Sequence, residues 1–304
     1  MPSLSAYKSG LDYSYAPGIF PSMECMKYRP EKVRRLLVHS SAAGREGTDR
    51  LRALAEKLGV RVEEADRALA RISGKENCYA AAVFGKFRDE LRKDRPHPVL
   101  HRPGDSGNVG TILRTALGFG MEDVALIRPC VDVFDPRTVR ASMGSLFRLR
   151  VRVYDSFDEY RAEFPERMLY PFMLDASVPL GKIREIPEVY SLVFGNEGSG
   201  LPAEFASMGR AVRIESNNKV DSLNLAVAAG VGIYYFSGKG VYTWFISSPA
   251  GKPADFSARC FVPCVLLYLS FRFFSGTEVS FMSGQISIHN RFLSAWHCIT
   301  RWKN

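Results

Sequence analysis

The sequence predicts an α/β fold, in which a mostly parallel sheet with flanking helices follows a smaller α/β module. Two observations predict it: short apolar strands alternate with helical patterns from residue 32 to residue 236, and Gly-rich loops follow two of the strands. The composition agrees, since 46% hydrophobic and 24% charged residues are ordinary for a globular protein. It excludes collagen, wholesale disorder and a polytopic membrane protein.

The first part of the chain is predicted to hold a leader and a small domain. Residues 1–29 contain Ser, Tyr, Gly and Pro without periodicity, which predicts a flexible leader. Residues 30–90 are predicted to form the α/β module, and the charged, Pro-containing stretch 88–98 to link it to the next domain. Within the module, strands are expected at 33–39, 60–62 and 79–84, with one helix capped by Asp49 and another over 63–72.

Residues 98–240 are predicted to form the domain with the parallel sheet. Strands are expected at 98–101, 123–127, 168–174, 192–194 and 212–214, and helices at 111–119 and 222–236. The last of these helices is apolar and has no polar face. This pattern predicts that the helix is buried.

Residues 241–304 differ in character and are predicted to be an appended tail of unknown structure. They hold all three Trp residues and show no helical or alternating period. The apolar run 260–274 is interrupted by Pro263 and Arg272, and it is shorter than the roughly 20 residues that cross a bilayer. No stable membrane insertion is therefore expected.

Positive charge is concentrated before the sheet domain. Residues 31–98 hold 16 basic and 11 acidic side chains, whereas residues 99–240 hold 16 and 17. A basic module beside a near-neutral domain indicates a part that holds a polyanion, although an Arg-rich solvated surface gives the same counts. The six Cys residues form no disulfide or zinc pattern, which favours a reducing intracellular compartment, the cytoplasm first and an organelle as the alternative.

The first of three polar motifs follows the strand 98–101 and continues into a helix, at residues 108–116 (NVGTILRTA). Its small residues would let a ligand approach the backbone. Asn108 and Arg114 lie more than one helical turn apart, and both are expected to face a common site. The alternative is a capped helix with a surface Arg.

The second motif is residues 192–202 (LVFGNEGSGLP), an apolar strand that runs into a loop with three Gly. Open α/β sheets bind ligands at this place, beyond the carboxyl end of a strand. The order G-x-x-G-x-G differs from the dinucleotide fingerprint G-x-G-x-x-G, which argues against a nicotinamide-dependent oxidoreductase. Glu197 is either a ligand contact or a carboxylate that stabilises the loop.

The third motif is a polar loop that follows Ile214 and delivers Ser222 and Asn224 to the start of the apolar helix. Ser222 is typical of a helix N-cap. Asn224 needs hydrogen-bond partners once it is buried, so it is either a structural tie or a site residue.

In this order and spacing, the three segments resemble motifs 1, 2 and 3 of the SpoU (TrmH) RNA 2′-O-ribose methyltransferases of the SPOUT superfamily, over residues 98–238. Residues 31–90 resemble, more loosely, the L30e-like module that precedes the catalytic domain in many members that act on ribosomal RNA. One departure is Ser106, where motif 1 commonly has Pro in Asp-Pro-Gly-Asn. No functional group is lost by this change.

The resemblance implies a SPOUT-type α/β trefoil-knot methyltransferase domain preceded by an L30e-like RNA-binding domain, in a homodimer. It implies S-adenosylmethionine as cofactor, no metal, and RNA as substrate, with ribosomal RNA favoured over tRNA. The residues that would hold the cofactor are Gly195, Ile214 and Leu223. The catalytic positions would be Arg114, Asn108, Glu197, Ser222 and Asn224, with Arg114 acting as general base or, more readily for a guanidinium, as a phosphate clamp. The main alternative is a catalytically inactive RNA-binding protein of the same fold.

Overall fold

The computed structural model describes residues 6–73, 78–176, 178–217, 221–246, 278–282 and 285–289. The chain divides into two compact units, Met1–Val241 and Tyr242–Asn304. The first unit contains both predicted α/β regions and all of the predicted site residues.

Residues 13–28 are folded, which contradicts the flexible leader predicted for residues 1–29. A strand, β1 (Tyr13–Pro17), is followed by a helix, α1 (Ile19–Tyr28). Tyr15 and Ala16 have no exposed surface, so the strand is part of the core. Both elements are short and carry Ser, Gly or Pro among their apolar residues, which hides their period in the sequence.

The strands and helices expected within residues 30–90 are present, and together with β1 they form a four-stranded sheet with helices. Its further elements are β2 (Val33–Val38), α2 (Glu46–Lys57), β3 (Val62–Glu64), α3 (Asp66–Ser73) and β4 (Ala80–Gly85). The strand order is β1-β4-β2-β3, in which β4 is antiparallel to both of its neighbours. The prediction that Asp49 caps a helix is wrong, because α2 begins at Glu46 and Arg45 occupies its N-cap position.

The second sheet is entirely parallel, which confirms the predicted fold class. Its region contains β5 (His97–His101), α4 (Ser106–Gly118), β6 (Asp123–Ile127), α5 (Pro136–Ala141), β7 (Arg150–Tyr154), α6 (Phe157–Glu163), β8 (Met168–Pro171), β9 (Val178–Pro179), β10 (Tyr190–Phe194), β11 (Val212–Arg213) and α7 (Leu225–Ile246). The strand order is β7-β6-β5-β10-β8, and β9 pairs separately with β11. The sequence does not predict β7, because Arg150 and Arg152 alternate with Val in a half-buried strand.

The stretch 88–98, predicted as a linker, is anchored to the parallel sheet. Arg167 is only 4% exposed and donates hydrogen bonds to three backbone carbonyls between residues 92 and 95. Phe84 of the first sheet meets Phe147 edge to face, with ring centroids 4.9 Å apart, in one continuous apolar core. The two regions therefore pack against each other and are not joined by a flexible linker.

The helix α7 is buried on one face only, which corrects the prediction of complete burial. Ala229 and Ile233 have no exposed surface, whereas Val227 and Tyr234 are 52% and 50% exposed. The helix begins at Leu225, three residues later than predicted. None of the helices in the described ranges is long and apolar enough to cross a membrane.

The second unit contains two described strands, β12 (Glu278–Met282) and β13 (Gln285–His289), which pair antiparallel. The rest of the predicted tail beyond α7 lies outside the described residues.

Candidate active site

The three motifs converge at the carboxyl ends of two paired strands of the parallel sheet. The first motif follows β5 and the second follows β10, and these strands are hydrogen-bonded neighbours. The third motif leads into α7, although its residues 218–220 lie outside the described residues. A crevice at the carboxyl ends of parallel strands is where open α/β sheets bind ligands.

Glu197 joins the second motif to the first. Its Oε2 accepts a hydrogen bond from the Gly104 N–H at 2.9 Å, and its Oε1 accepts from the Asp105 N–H and the Asn108 side-chain amide, both at 3.1 Å. Burial raises the pKa of this carboxyl, but the hydrogen bonds outweigh burial and hold its pKa below the ordinary value. Glu197 is thus an ionised group that ties two loops together, the second of the two roles that the sequence leaves open.

Asn224 joins the third motif to the same network. Its Nδ2 donates to the Oδ1 of Asn108 at 3.0 Å, while its own Oδ1 accepts from the N–H groups of Ala226 and Val227 at 2.8 and 3.3 Å. The latter two bonds are those of a helix N-cap. The prediction that Ser222 caps the helix is therefore wrong, since Asn224 does so and Ser222 is an exposed residue of the preceding loop.

The first motif holds Asn108 in place through the start of α4. Asp105 is the N-cap and accepts a hydrogen bond from the Asn108 N–H at 2.7 Å. Gly110 is needed for helix packing, because a Cβ there would lie 2.4 Å from the Cβ of Ala141 on α5. Gly110 therefore allows two helices to pack closely. This finding corrects, at Gly110, the interpretation that the small residues of the first motif let a ligand approach the backbone.

A cavity of about 230 Å³ lies beside the network. It is lined by all three predicted cofactor residues, Gly195, Ile214 and Leu223, and by the predicted catalytic residues Glu197 and Ser222. The apolar part of its wall comes from Phe172, Phe194, Val212 and Leu225. The cavity thus combines the backbone of a loop, a few polar groups and an apolar surface, as small-molecule sites commonly do.

Gly195 permits the tight fold of the second motif. A Cβ at this position would lie 2.2 Å from the carbonyl carbon of Gly200, which no side chain tolerates. The loop closes through reciprocal backbone bonds of 3.1 and 3.0 Å between Asn196 and Gly200. The backbone of the loop therefore forms the cavity wall at this point.

Arg114 does not lie with the other predicted catalytic residues. Six residues of an α-helix correspond to a rotation of about 600°, so Arg114 points roughly 120° away from Asn108 around α4. It is exposed, it does not line the cavity, and it makes no hydrogen bond or ion pair with any residue that the structure describes. The expectation that Asn108 and Arg114 face a common site is not met within one chain.

Asn196 is a site residue that the sequence reasoning missed. Its Nδ2 donates to the Arg102 carbonyl at 2.8 Å, and its Oδ1 accepts from the N–H groups of Gly198 and Ser199 at 2.9 and 3.2 Å. The side chain therefore shapes its own loop and fastens it to the residue after β5. An Asn directly before a Gly-rich turn commonly accepts hydrogen bonds from the backbone of that turn. This signal could have identified Asn196 in the sequence.

Known proteins match most of this region. The sequence profile of the SpoU rRNA Methylase family matches residues 97–234. The chain is 31% identical over 195 residues to the 23S rRNA (adenosine(1067)-2′-O)-methyltransferase of Streptomyces laurentii, which covers 60% of this chain and 72% of that protein. It is 32% identical over 164 residues to the 23S rRNA (guanosine(2553)-2′-O)-methyltransferase of Bacillus subtilis (strain 168), with 52% and 64% covered.

A solved structure shows the same fold. The AdoMet-bound rRNA methyltransferase from Sinorhizobium meliloti aligns with a TM-score of 0.64 at 24% identity, over 76% of this chain and 88% of that one. The chain spans 54% to 72% of the length of the first three curated relatives that it matches. The ordered motifs, the parallel sheet and these matches agree, and the chain belongs to the SpoU rRNA methylase family.

Proposed function

We propose that this protein transfers a methyl group from S-adenosylmethionine to a ribose 2′-hydroxyl of RNA, and that ribosomal RNA rather than tRNA is its main substrate. The observation that carries the proposal is the convergence of three motif loops on one cavity through Glu197, Asn108 and Asn224. The names of the two relatives support it, since both are 2′-O-methyltransferases of 23S rRNA.

The cavity suits S-adenosylmethionine. A purine ring needs apolar side chains against its faces and backbone groups at its edge, and the wall offers both, through residues such as Val212 and through the loop that begins at Gly195. Gly195, Ile214 and Leu223 would hold the cofactor. When bound, it supplies an electrophilic methyl group whose transfer leaves a neutral thioether, so the chain needs no acid for the leaving group.

The remaining task of the chain is to align the ribose oxygen and to allow its proton to leave. Glu197 is poorly suited to take that proton, because its lowered pKa makes it a weak base. Its role is to fix the loops, together with Asn108 and Asn224. Ser222 is exposed at the cavity and offers a hydroxyl to the ribose.

Arg114 is suited to contact the RNA backbone. Its guanidinium is exposed and has no partner among the residues that the structure describes. A guanidinium is not deprotonated in proteins, so a role as general base is chemically unfavourable. A clamp on a phosphate, which also stabilises negative charge developing on the ribose oxygen, fits its chemistry better.

An apolar surface on α7 and α4 supports a homodimer. Val227, Val231 and Tyr234 recur on one face of α7 and are 52%, 38% and 50% exposed. Phe119, 43% exposed and one residue beyond α4, contacts Tyr234 with ring centroids 5.5 Å apart. A second copy packed on this surface would bury these side chains and lie beside the helix that carries Arg114. The site would then be completed across the interface.

The finer features of the fold belong to the same proposal. The trefoil knot would involve the loops of the second and third motifs, with α7 packed against them. Close packing supports it, because a Cβ at Gly232 of α7 would lie 2.6 Å from the Phe172 ring. Residues 30–90 would be the L30e-like RNA-binding domain, and the positive charge of residues 31–98 supports contacts with phosphates.

Two measurements test the proposed function. The full chain is titrated with S-adenosylmethionine by calorimetry, and it is incubated with methyl-labelled cofactor and either ribosomal RNA or tRNA. We expect cofactor binding, and transfer of label to ribosomal RNA that weakens with added salt. A protein that binds RNA without binding the cofactor or transferring label would be the inactive RNA-binding protein, and the proposal would be wrong.

A further inference from the structure

Arg102, the residue directly after β5, has an unusual backbone. Its φ of 56° lies in the left-handed region, which few residues other than Gly adopt. The conformation is fixed from both sides, because its N–H donates to the Ile127 carbonyl at 3.0 Å and its carbonyl accepts from Asn196 Nδ2 at 2.8 Å. Residues that their surroundings hold in such a conformation are concentrated at functional sites, which makes Arg102 a candidate functional residue.

Arg102 lies at the edge of a second cavity, of about 490 Å³, which opens beyond the ends of β5, β6 and β10. Pro103, Pro129 and Val131 give it an apolar surface, and the Val131 N–H donates to the Pro103 carbonyl at 3.0 Å, which joins the loops after β5 and β6. The surface is therefore built by two loops that are held in a fixed relation.

The second cavity shares a wall with the first. Asn196 and Ser199 line both cavities, and both belong to the loop of the second motif. A molecule in the second cavity would therefore sit next to a cofactor in the first. This is the place that the acceptor of a group transfer has to occupy.

The side chain of Arg102 is free to bind an anion. It is exposed, and it makes no hydrogen bond or ion pair with any residue of the described ranges. An unpaired guanidinium beside an apolar surface matches the chemistry of one unpaired nucleotide, which presents a phosphate and a flat base. Unpaired RNA is bound in general by such a combination of positive charge and a surface for the bases.

We propose that the second cavity holds the acceptor nucleotide of an unpaired RNA segment, with its base against Pro103, Pro129 and Val131 and its phosphate on Arg102. This inference rests on the proposed function and deepens it by assigning the subsite of the substrate. The strained backbone of Arg102 is then the means by which the guanidinium is aimed at the phosphate.

Replacement of Arg102 tests the assignment. The first variant is Arg102→Gly, which relieves the backbone strain and removes the charge. The second is Arg102→Lys, which keeps the charge but lacks the planar guanidinium that can bind two phosphate oxygens at once. Arg184→Ala removes an exposed Arg that lies outside residues 31–98 and lines neither cavity, and it is the matched control. The probe is a short single-stranded RNA of mixed sequence that carries the photoreactive base 4-thiouridine. Its affinity is measured over a range of salt concentrations, and its cross-links are mapped by mass spectrometry.

We expect Arg102→Gly to melt at the same or a higher temperature than the wild type, yet to bind the RNA about tenfold more weakly. The slope of log affinity against log salt should fall by about 0.7, the loss of one phosphate contact with a single strand. Arg102→Lys should keep the salt slope and lose part of the affinity. Cross-links should fall on residues 129–131, and the affinity for S-adenosylmethionine should not change.

Wild-type RNA affinity and salt slope in Arg102→Gly, or cross-links that avoid residues 129–131, would overturn the assignment. An equal loss of cofactor affinity would also overturn it, since Arg102 would then be a structural residue. These outcomes are separate from those of the proposed function, because RNA binding and cross-linking do not require methyl transfer. A protein that methylates RNA but fails this test has its acceptor site elsewhere.

Discussion

The side-chain amide of Asn224 donates a hydrogen bond to the Oδ1 of Asn108 at 3.0 Å, across 116 positions of the chain. Asn108 in turn donates to Glu197, so one continuous chain of polar contacts connects the three motifs. Each amide uses its donor and acceptor sides for different partners, which fixes its orientation. The relative position of the three loops therefore depends on three side chains.

Replacement of Asn224 by Asp separates its two roles. Asp is as good an N-cap as Asn, so α7 should keep its cap and the melting temperature should stay close to that of the wild type. The donor to Asn108 is lost, and a carboxylate oxygen faces the Asn108 carbonyl oxygen instead. We expect kcat/KM for methyl transfer to fall about tenfold or more. Asn217→Asp, at an exposed position of the same loop, should behave as wild type. A strongly destabilised Asn224→Asp would contradict this separation.

Replacement of Glu197 by Gln keeps the shape of the side chain and removes its charge. An NH2 group, which donates and cannot accept, replaces one of the two oxygens, so the bond from the Gly104 or the Asp105 N–H is lost and the loops should loosen. We expect the affinity for S-adenosylmethionine to fall about tenfold in calorimetry. The exposed Glu204→Gln is the control and should bind normally.

The charge on Glu197 also predicts a pH response. Its pKa in the folded protein lies below the ordinary value of 4.5, so the stabilisation from its ionised form is present above pH 4.5 and is lost as the pH falls through the lower folded pKa. Cofactor affinity should therefore show no transition due to Glu197 around neutral pH. A titration near pH 7 that disappears in Glu197→Gln would show that the carboxyl has a raised pKa and acts as a base.

Replacement of Arg114 by Ala should abolish methyl transfer while the affinity for S-adenosylmethionine remains nearly unchanged. The side chain is exposed and does not line the cofactor cavity, so stability should change by no more than about 0.5 kcal/mol. Activity assays, calorimetry and thermal melts of one preparation provide the three readouts. Parallel loss of cofactor binding and activity would identify Arg114 as a structural residue.

Two glycines of α4 should respond in opposite ways to substitution by Ala. Gly110→Ala places a Cβ 2.4 Å from the Ala141 Cβ and should destabilise the protein by about 2 kcal/mol through overpacking. Gly118 has no atom within 4 Å of the position of an added Cβ, so Gly118→Ala should be neutral or stabilise the helix by up to about 1 kcal/mol. Chemical denaturation measures both. A neutral Gly110→Ala would show that α4 and α5 are less closely packed.

Acid should destabilise the protein through His97. This side chain has no exposed surface, and burial, reinforced by the charge of Arg167, lowers its pKa from 6.5 to about 4. Because the folded pKa is the lower one, the free energy of unfolding is unaffected above about pH 6.5 and falls as the pH drops towards 4, by on the order of 3 kcal/mol. Denaturation curves at several pH values should show this loss. His97→Gln should flatten the pH dependence.

The sequence was sufficient for the fold class because β5, β6 and β10 are short apolar segments, and helical patterns separate the strands along the chain. The N-terminal elements were not predictable from local pattern, because β1 is stabilised by its pairing with β4. That strand lies more than 60 residues later in the chain. The cap of α7 was misplaced because Ser222 and Asn224 are both good capping residues, and only the hydrogen bonds distinguish them.

The site was predictable in part for a similar reason. Gly195, Ile214 and Leu223 line one cavity, and the place of Gly195 follows from the rule that ligands bind beyond the carboxyl ends of parallel strands. The position of Arg114 was not predictable from its spacing, since the helical repeat turns it away from Asn108. Arg102 carries no signal in the sequence, because its left-handed backbone depends on contacts with Ile127 and Asn196.

The position of the transferred methyl group tests the central claim most directly. Ribosomal RNA labelled by the full chain and methyl-labelled S-adenosylmethionine is digested to nucleosides, which are separated by liquid chromatography and identified by mass spectrometry. The account predicts that the label resides in 2′-O-methylated nucleosides and is lost in Arg114→Ala. Label on a base, or none on RNA from a folded protein that binds the cofactor, would contradict it.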